Sequence, residues 1–168
     1  MTTKSDTVSI PLSRGLFAVV DLADYETLSK YKWCAWKGRT HHTFYALRAA
    51  QDCGDGYKTI RMHRLIAGAV EGQDVDHIDG NGLNNTRGNL RVCSRAQNTM
   101  NQKLSCRNRS GKKGVYLDKR RGTWSAEITC SGKKKFLGSF KERESAASAY
   151  DVAARLLFGE FARTNEKL

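Results

Sequence analysis

Four residues between positions 76 and 98 carry the side chains that hydrolysis of a phosphodiester needs. Asp76 and His77 are adjacent in VDHIDGN, and Asn89 and Asn98 follow at offsets of 12 and 21 from the histidine. The reaction requires a water in line with the leaving oxygen, a cation that neutralises the developing charge, and a proton acceptor. The oxygens of Asp76 and Asn98 are hard ligands that favour magnesium or manganese over zinc. His77 suits the base, because an imidazole pKa lies near ~6.5.

The same residues have a simpler explanation that needs no chemistry. Asp, Asn and Gly tolerate positive φ, so the DGNG stretch at 79–82 is also typical of an ordinary turn. On that interpretation His77 is a surface histidine and Asn89 only caps a loop. The turn explanation leaves the whole spacing pattern to chance, and the catalytic interpretation is therefore favoured.

The pattern D-H-x-D-G-N with the two later asparagines resembles the HNH nuclease family, whose core is a hairpin and a helix around a metal (ββα-metal). The resemblance implies that Asp76 is a ligand and His77 the general base. It implies that Asn89 pins the loop between the strands and that Asn98, on the helix, is the second ligand. The resemblance also implies that each active site binds one Mg²⁺ (or Mn²⁺). MHRLIAG at 62–68, with YKW and FYALR upstream, resembles the lead-in of phage and intron homing endonucleases.

The elements around these residues are predicted from periodicity and capping signals. Short strands with turns are expected over 8–60, with one helix at 24–31 that begins at Asp24 as its N-cap. The core at 61–101 is expected to contain a helix near His63, strands at 74–78 and 89–93, and a helix from Ser94. His63 itself is assigned a structural or phosphate-contacting role in preference to catalysis.

The charge distribution predicts a polyanionic partner. The formal net charge is +12 with a pI near 9.7. Residues 1–101 carry 13 Lys/Arg against 10 Asp/Glu, whereas residues 102–168 carry 16 against 7. The last third is therefore the expected phosphate-binding surface. It is interleaved with aromatic residues, which favours a folded module over a disordered arm.

The spacing of the cysteines and the hydropathy of the chain limit the class of protein. The five cysteines form no CxxC pair, so a structural zinc and a disulfide framework are not expected; they are Cys34, Cys53, Cys93, Cys106 and Cys130. No stretch has the ~20 apolar residues that a membrane-spanning helix needs, and the N-terminus lacks a signal-peptide core. A cytoplasmic protein without a membrane partner is expected.

The C-terminal third is predicted to form three strands and a helix. The strands are GVYLD, TWSAEITCSG and KKKFLGSF, with a turn at Ser131–Gly132. The helix is expected to end at Gly159 and to bury one stripe made of Ala146, Ala147, Tyr150, Ala153, Ala154 and Leu157. The preceding basic stretch at 102–112 lacks hydrophobic periodicity and is predicted to be a linker.

This third resembles the ethylene-response-factor (Apetala-type) DNA-binding domain of plant transcription factors. The resemblance rests on GVY, WSAEI, FLGSF, the alanine-rich helix and FGEFA. It implies a sheet lying in the major groove, with DNA contacts from Lys112, Lys113, Tyr116, Lys119, Arg120, Arg121, Trp124, Glu127 and Lys134. Tyr116 and Thr129 stand where the plant domains have base-contacting arginines, so the recognised sequence does not carry over. Trp124 has the alternative of being a core aromatic.

The predicted fold class is α+β: a ββα-metal nuclease domain with preceding strands, then a three-stranded antiparallel sheet packed on one helix. The predicted domains are 1–101, a linker at 102–112, and 113–168. The predicted function is a metal-dependent DNA endonuclease of homing type, a nickase or double-strand cutter, acting on double-stranded DNA and not on a small molecule. A monomer is favoured over a dimer. The alternative is a non-catalytic DNA-binding regulator; an RNA binder is disfavoured, because side chains cannot read the major groove of A-form RNA.

Overall fold

The structure, a computed structural model, describes residues 6–38, 43–51, 56–105 and 107–167. The chain forms two compact units, Met1–Arg95 and Ala96–Leu168. Small antiparallel sheets and a few helices make up both units, which confirms the prediction of a mixed α and β protein. In the described part of the chain, no helix has the length and apolar character to span a membrane. Cys53 and Cys106 lie outside the described residues, and the predicted domain limits remain a prediction.

The first unit begins with a hairpin and a short helix. Strands β1 (Thr7–Pro11) and β2 (Phe17–Asp21) pair antiparallel, and helix α1 covers Leu22–Ser29. The predicted start of this helix at Asp24 is wrong, since the N-cap position is Asp21. Asp24 lies inside the helix, where its carboxylate accepts two hydrogen bonds from the Arg87 guanidinium.

A three-stranded sheet and a helix continue the first unit. The strands β3 (Cys34–Trp36), β4 (Tyr45–Gln51) and β5 (Tyr57–Arg61) pair in that order, and helix α2 follows at Met62–Ala67. Gly68 ends α2 with φ 62°, a left-handed cap that other residues rarely adopt. Apolar residues from these elements and the first hairpin form one core; its buried members are Ile10, Leu12, Ala18, Val20, Leu28, Trp33, Ala35, Ala46, Met62 and Ile66.

A second hairpin ends the first unit. Strand β6 (Asp74–His77) pairs with β7 (Leu90–Cys93), and the 12 residues between them form a long irregular loop with a short 3-10 helix at Arg87–Asn89. The short helix α3 follows at Arg95–Met100. The predicted strands and helix of the segment 61–101 are present, with ends that differ by a residue.

The second unit is a three-stranded antiparallel sheet with one helix on it. Strand β9 (Thr123–Cys130) lies between β8 (Val115–Asp118) and β10 (Lys133–Phe140). The turn between β9 and β10 is at Ser131 and Gly132, with φ of 50° and 75°; two successive positive φ values suit the twist of a tight hairpin. Helix α4 covers Arg143–Phe158 and ends at Gly159.

Helix α4 packs its small residues on the sheet. Most of the predicted stripe is buried or half-buried, but Leu157 is exposed, and Phe158 lies in the core in its place. Phe158 is four residues after Ala154 and continues the buried row of Ala146, Tyr150 and Ala154. Gly114 permits a close approach here, because a Cβ at this position would lie 2.1 Å from the Tyr150 ring.

Candidate active site

The antiparallel register of β6 and β7 positions Asp76 directly opposite Arg91. Arg91 donates hydrogen bonds from Nε (2.9 Å) and Nη2 (2.6 Å) to the same oxygen, Oδ2 of Asp76. The two side chains are only 13% and 7% exposed. A buried carboxylate requires a counter-charge, and Arg91 supplies it. Sequence analysis missed Arg91, although its position two residues after Asn89 lies on the predicted strand.

His77 is the neighbour of Asp76 on β6 and is buried, 5% exposed. Its Nε2 lies 3.3 Å from Oδ1 of Asn85, a side chain that is completely buried. Burial lowers the pKa of His77, against the opposing effects of the Asn85 contact and of the Asp79 and Asp76 carboxylates. The imidazole is therefore neutral at pH 7, which is the protonation state of a base.

Aromatic side chains surround the His77 imidazole. The His63 ring lies edge-on at 5.0 Å between centroids, and the Tyr45 ring lies 5.8 Å away. Burial, with the nearby His77 and two arginines, lowers the pKa of His63 to about 3. His63 is thus neutral and 6% exposed, and its Nδ1 has no hydrogen-bond partner within the described part of the chain. A neutral, buried ring favours the structural role over phosphate contact.

Asn89 connects both ends of the loop between β6 and β7. Its Oδ1 accepts the backbone N–H of Asp79 at 3.0 Å, while its Nδ2 donates to Oδ1 of Asp79 at 3.0 Å and to the carbonyl of Asn84 at 2.8 Å. Burial raises the pKa of Asp79, but hydrogen bonds from Asn81, Asn84 and Asn89 outweigh it and hold the pKa below its usual value. Asn89 therefore braces the loop rather than capping a single turn.

The upstream hairpin and sheet hold the rest of this loop. The backbone of Val19 on β2 exchanges hydrogen bonds with Leu83 and Asn85. Thr43 Oγ1 accepts the N–H of Gly82 at 3.0 Å, and a Cβ on Gly82 would lie 2.4 Å from the carbonyl oxygen of Phe44. The predicted lead-in strands thus act as a scaffold for the residues around His77. These contacts join positions far apart in sequence, and no local signal marks them.

Asp76 is the described side chain best suited to a divalent cation. Among the described residues, no three or more His, Cys, Asp or Glu side chains form a group that could hold a metal. Magnesium is commonly bound through one or two carboxylates together with substrate phosphates, so a buried carboxylate beside a neutral imidazole fits this ion. Asn98, the second expected ligand, lies on α3 and is half-buried. Its role as a ligand remains a prediction.

The predicted DNA-contacting residues of the second unit fall into three settings. Tyr116, Glu127 and Lys134 share the face of the sheet away from α4: the Tyr116 hydroxyl donates to Glu127 at 2.8 Å, and Lys134 Nζ is 3.7 Å from Glu127. Phe136 pairs with Glu127 on this face and is 62% exposed. A second group is exposed in the turn after β8; it comprises Lys119, Arg120 and Arg121.

The remaining three predicted contacts are joined to other parts of the second unit, Lys112 through its backbone, and their contact with DNA stays a prediction. Trp124 packs half-buried against the cluster that includes Ala126 and Ala146, which favours its alternative as a core aromatic. Lys113 Nζ donates to the carbonyls of Met100 (3.0 Å) and Gln102 (2.8 Å). Burial, followed by the charge of Arg163, lowers the pKa of Lys113 to about 8. The carbonyl of Lys112 accepts hydrogen bonds from Asn108 and Ser110, which orders the end of the predicted linker.

Known proteins with similar sequences fall into two groups. In the first, a viral protein named HNH endonuclease, from Acanthamoeba polyphaga mimivirus, is 34% identical over 159 residues, 91% of this chain and 76% of the relative. Protein 3.8 of Escherichia phage T7 is 37% identical over 112 residues, 64% of this chain and 92% of the relative. In the second, an ethylene-responsive transcription factor of Medicago truncatula is 44% identical over 71 residues, 41% of this chain but only 29% of the plant protein.

A family model described as HNH endonuclease matches residues 61–100, the segment from the end of β5 through α3. This segment contains Asp76 and His77, the loop braced by Asn89, and Asn98. Together with the viral relative that is matched over most of both chains, it shows that this chain belongs to the HNH endonuclease family, which are nucleases acting on DNA.

Proposed function

We propose that this protein is a metal-dependent DNA endonuclease of the homing type, which hydrolyses phosphodiester bonds with His77 as its general base. The observation that carries the proposal is the pairing of a buried carboxylate, Asp76, with a buried neutral imidazole, His77, at the end of β6. The loop that follows them is braced at both ends by Asn89. This arrangement lies in the segment that matches the HNH endonuclease family.

The proposed mechanism assigns proton removal to His77. The neutral imidazole accepts a proton from the attacking water, whose oxygen forms the new bond to phosphorus. The bond from phosphorus to the leaving oxygen breaks, and that oxygen is released as a hydroxyl after taking a proton from solvent. The contact with Asn85 and the edge of His63 restrict the orientation of the imidazole ring. An oriented base within hydrogen-bond reach of the water is the geometric requirement of this step.

The proposed cofactor is one Mg²⁺ or Mn²⁺ per active site, held by Asp76 and, by the family pattern, Asn98. When bound, such an ion neutralises the charge that develops on the phosphate and leaving oxygens. The carboxylate of Asp76 supplies the anionic oxygen that this ion prefers. The neighbouring His77 stays available for the proton because its pKa is lowered by burial.

The proposed targeting surface is the exposed face of the second unit's sheet with the adjacent turn. Residues 102–168 carry 16 Lys/Arg against 7 Asp/Glu, an excess of nine positive charges that suits phosphate contacts. Arg120 and Arg121 would position the duplex, and Tyr116 and Glu127 would face base edges. Similarity to plant transcription factors supports this role. We propose that the enzyme acts in the cytoplasm as a monomer, cutting one strand at each encounter.

A plasmid-nicking assay tests the proposal against the non-catalytic alternative. Supercoiled DNA is incubated in four samples: the wild-type protein with Mg²⁺, with Mn²⁺ or with EDTA, and the Asp76→Asn variant with Mg²⁺. DNA binding is followed by gel shift in each sample. We expect nicking only by the wild type in Mg²⁺ or Mn²⁺, with DNA binding in all four samples. A wild-type protein that binds DNA but never cuts in either ion would instead be the DNA-binding regulator.

A further inference from the structure

We propose that Arg91 and the divalent cation compete for the carboxylate of Asp76, so that the guanidinium holds this carboxylate until the cation displaces it. The inference rests on the proposed function, because it takes Asp76 as a cation ligand. It adds Arg91 to the site as the residue that sets the affinity for the cation, and therefore the cation concentration at which the site fills.

The geometry of the pair carries the inference. Nε and Nη2 of Arg91 converge on one oxygen of Asp76, at 2.9 and 2.6 Å. An ionised carboxylate has two oxygens with about two lone-pair sites each, so two N–H donors on Oδ2 occupy the positions that a cation would use on that oxygen. Asp76 on β6 and Arg91 on β7 lie directly opposite each other, so the register of the two strands keeps their side chains together.

Burial makes the exchange costly in both directions. With side chains 13% and 7% exposed, both partners are largely shielded from bulk water. The guanidinium of an arginine carries a permanent positive charge. A cation that binds Oδ2 must therefore displace the guanidinium and also meet its repulsion. Both effects weaken the apparent affinity of the cation, and removing Arg91 should strengthen it.

The experiment measures Mn²⁺ affinity of the full-length protein without DNA, by electron paramagnetic resonance of the free ion. Arg91→Gln removes the charge and one donor, whereas Arg91→Lys keeps the charge but loses the two-donor geometry. Arg87→Gln is the matched control, since it removes an equal charge from a pair with Asp24 that has no part in the site. Asp76→Asn reports whether the bound ion uses this carboxylate at all.

We expect Arg91→Gln to bind Mn²⁺ about tenfold more tightly than the wild type, Arg91→Lys to fall between them, and Arg87→Gln to stay within about twofold. Without cation, Arg91→Gln should melt at a lower temperature than the wild type, and saturating Mn²⁺ should raise its melting temperature by more than that of the wild type. Melting curves also establish that each variant is folded, and Arg91→Lys keeps the test decisive if the glutamine variant is not.

Two different failures are distinguishable. If Mn²⁺ binding is the same in the wild type and Asp76→Asn, the proposed cation site is wrong and the competition falls with it. If binding needs Asp76 but Arg91→Gln and Arg91→Lys bind no more tightly than the wild type, the competition is wrong while the proposed cation site stands. If Arg91→Gln and Arg87→Gln raise the Mn²⁺ affinity equally, the effect comes from net charge alone. That result would overturn the proposed displacement of Arg91.

Discussion

Replacing Asn89 by alanine should loosen the loop that follows His77. The change removes three hydrogen bonds, of 3.0, 3.0 and 2.8 Å, that join this side chain to Asp79 and Asn84. At roughly 0.5–1.5 kcal/mol net for each bond, the free energy of unfolding should fall by about 3 kcal/mol. For a chain of this size that corresponds to a melting temperature lower by roughly 6–12 °C.

The assay is thermal melting followed by circular dichroism, with Asn81→Ala as the control. Asn81 lies in the same loop, but among the described residues its side chain accepts one exposed hydrogen bond, from the N–H of Leu83. Its loss should cost less than about 1 kcal/mol. Equal melting temperatures for Asn89→Ala and the wild type would refute the bracing role. Equal losses in both variants would refute its specificity to Asn89.

The same variant has a signature in acid. The pKa of Asp79 is depressed in the folded protein, so its contribution to stability is present above the unfolded pKa and is lost as pH falls through the folded value. Without the Asn89 donor, the folded pKa of Asp79 should move towards its ordinary value. We therefore expect the difference in melting temperature between wild type and Asn89→Ala to shrink from pH 7 to pH 3.

The other predictions concern the base, the loop contact and the DNA surface. His77→Ala should lower the single-turnover cleavage rate by roughly 10²–10⁴ and leave DNA affinity within a few-fold, and an unchanged rate would exclude it as the base. Because burial lowers the pKa of His77, cleavage by the wild type should persist below pH 6.5 and decline only as pH falls through the lowered value, which a pH–rate profile checks. Gly82→Ala should destabilise the protein by about 1–3 kcal/mol, since its Cβ would lie 2.4 Å from a backbone oxygen and 2.7 Å from the Tyr45 ring; a chemical denaturation curve measures this. Reversing both Arg120 and Arg121 to glutamate should weaken DNA binding at every sequence and reduce the log–log salt slope by about two or more, and an unchanged slope would remove them from the interface.

Local sequence was sufficient for many of the elements and for the site's central pair. Alternating residues predicted strands β8, β9 and β10, and the tight turn at Ser131–Gly132 is present, with Gly132 at a positive φ that glycine adopts without steric cost. Asp76 and His77 could be identified because their adjacency and their spacing to Asn89 can be read from the sequence alone. The periodicity of helix α4 predicted its buried face less exactly: Leu157 was predicted to be buried, but Phe158 is the buried residue.

The partners of the site residues were decided only by tertiary structure. Arg91 reaches Asp76 through the register of two strands, and Arg87 reaches Asp24 across 63 positions of sequence. The contact between Asn85 and His77 depends on how the loop after β6 is held by the first hairpin. Residue types and spacing therefore determined which chemistry the chain can carry out. The neutral state of the imidazole and the counter-charge on the carboxylate arise from burial and long-range pairing, which no local pattern encodes.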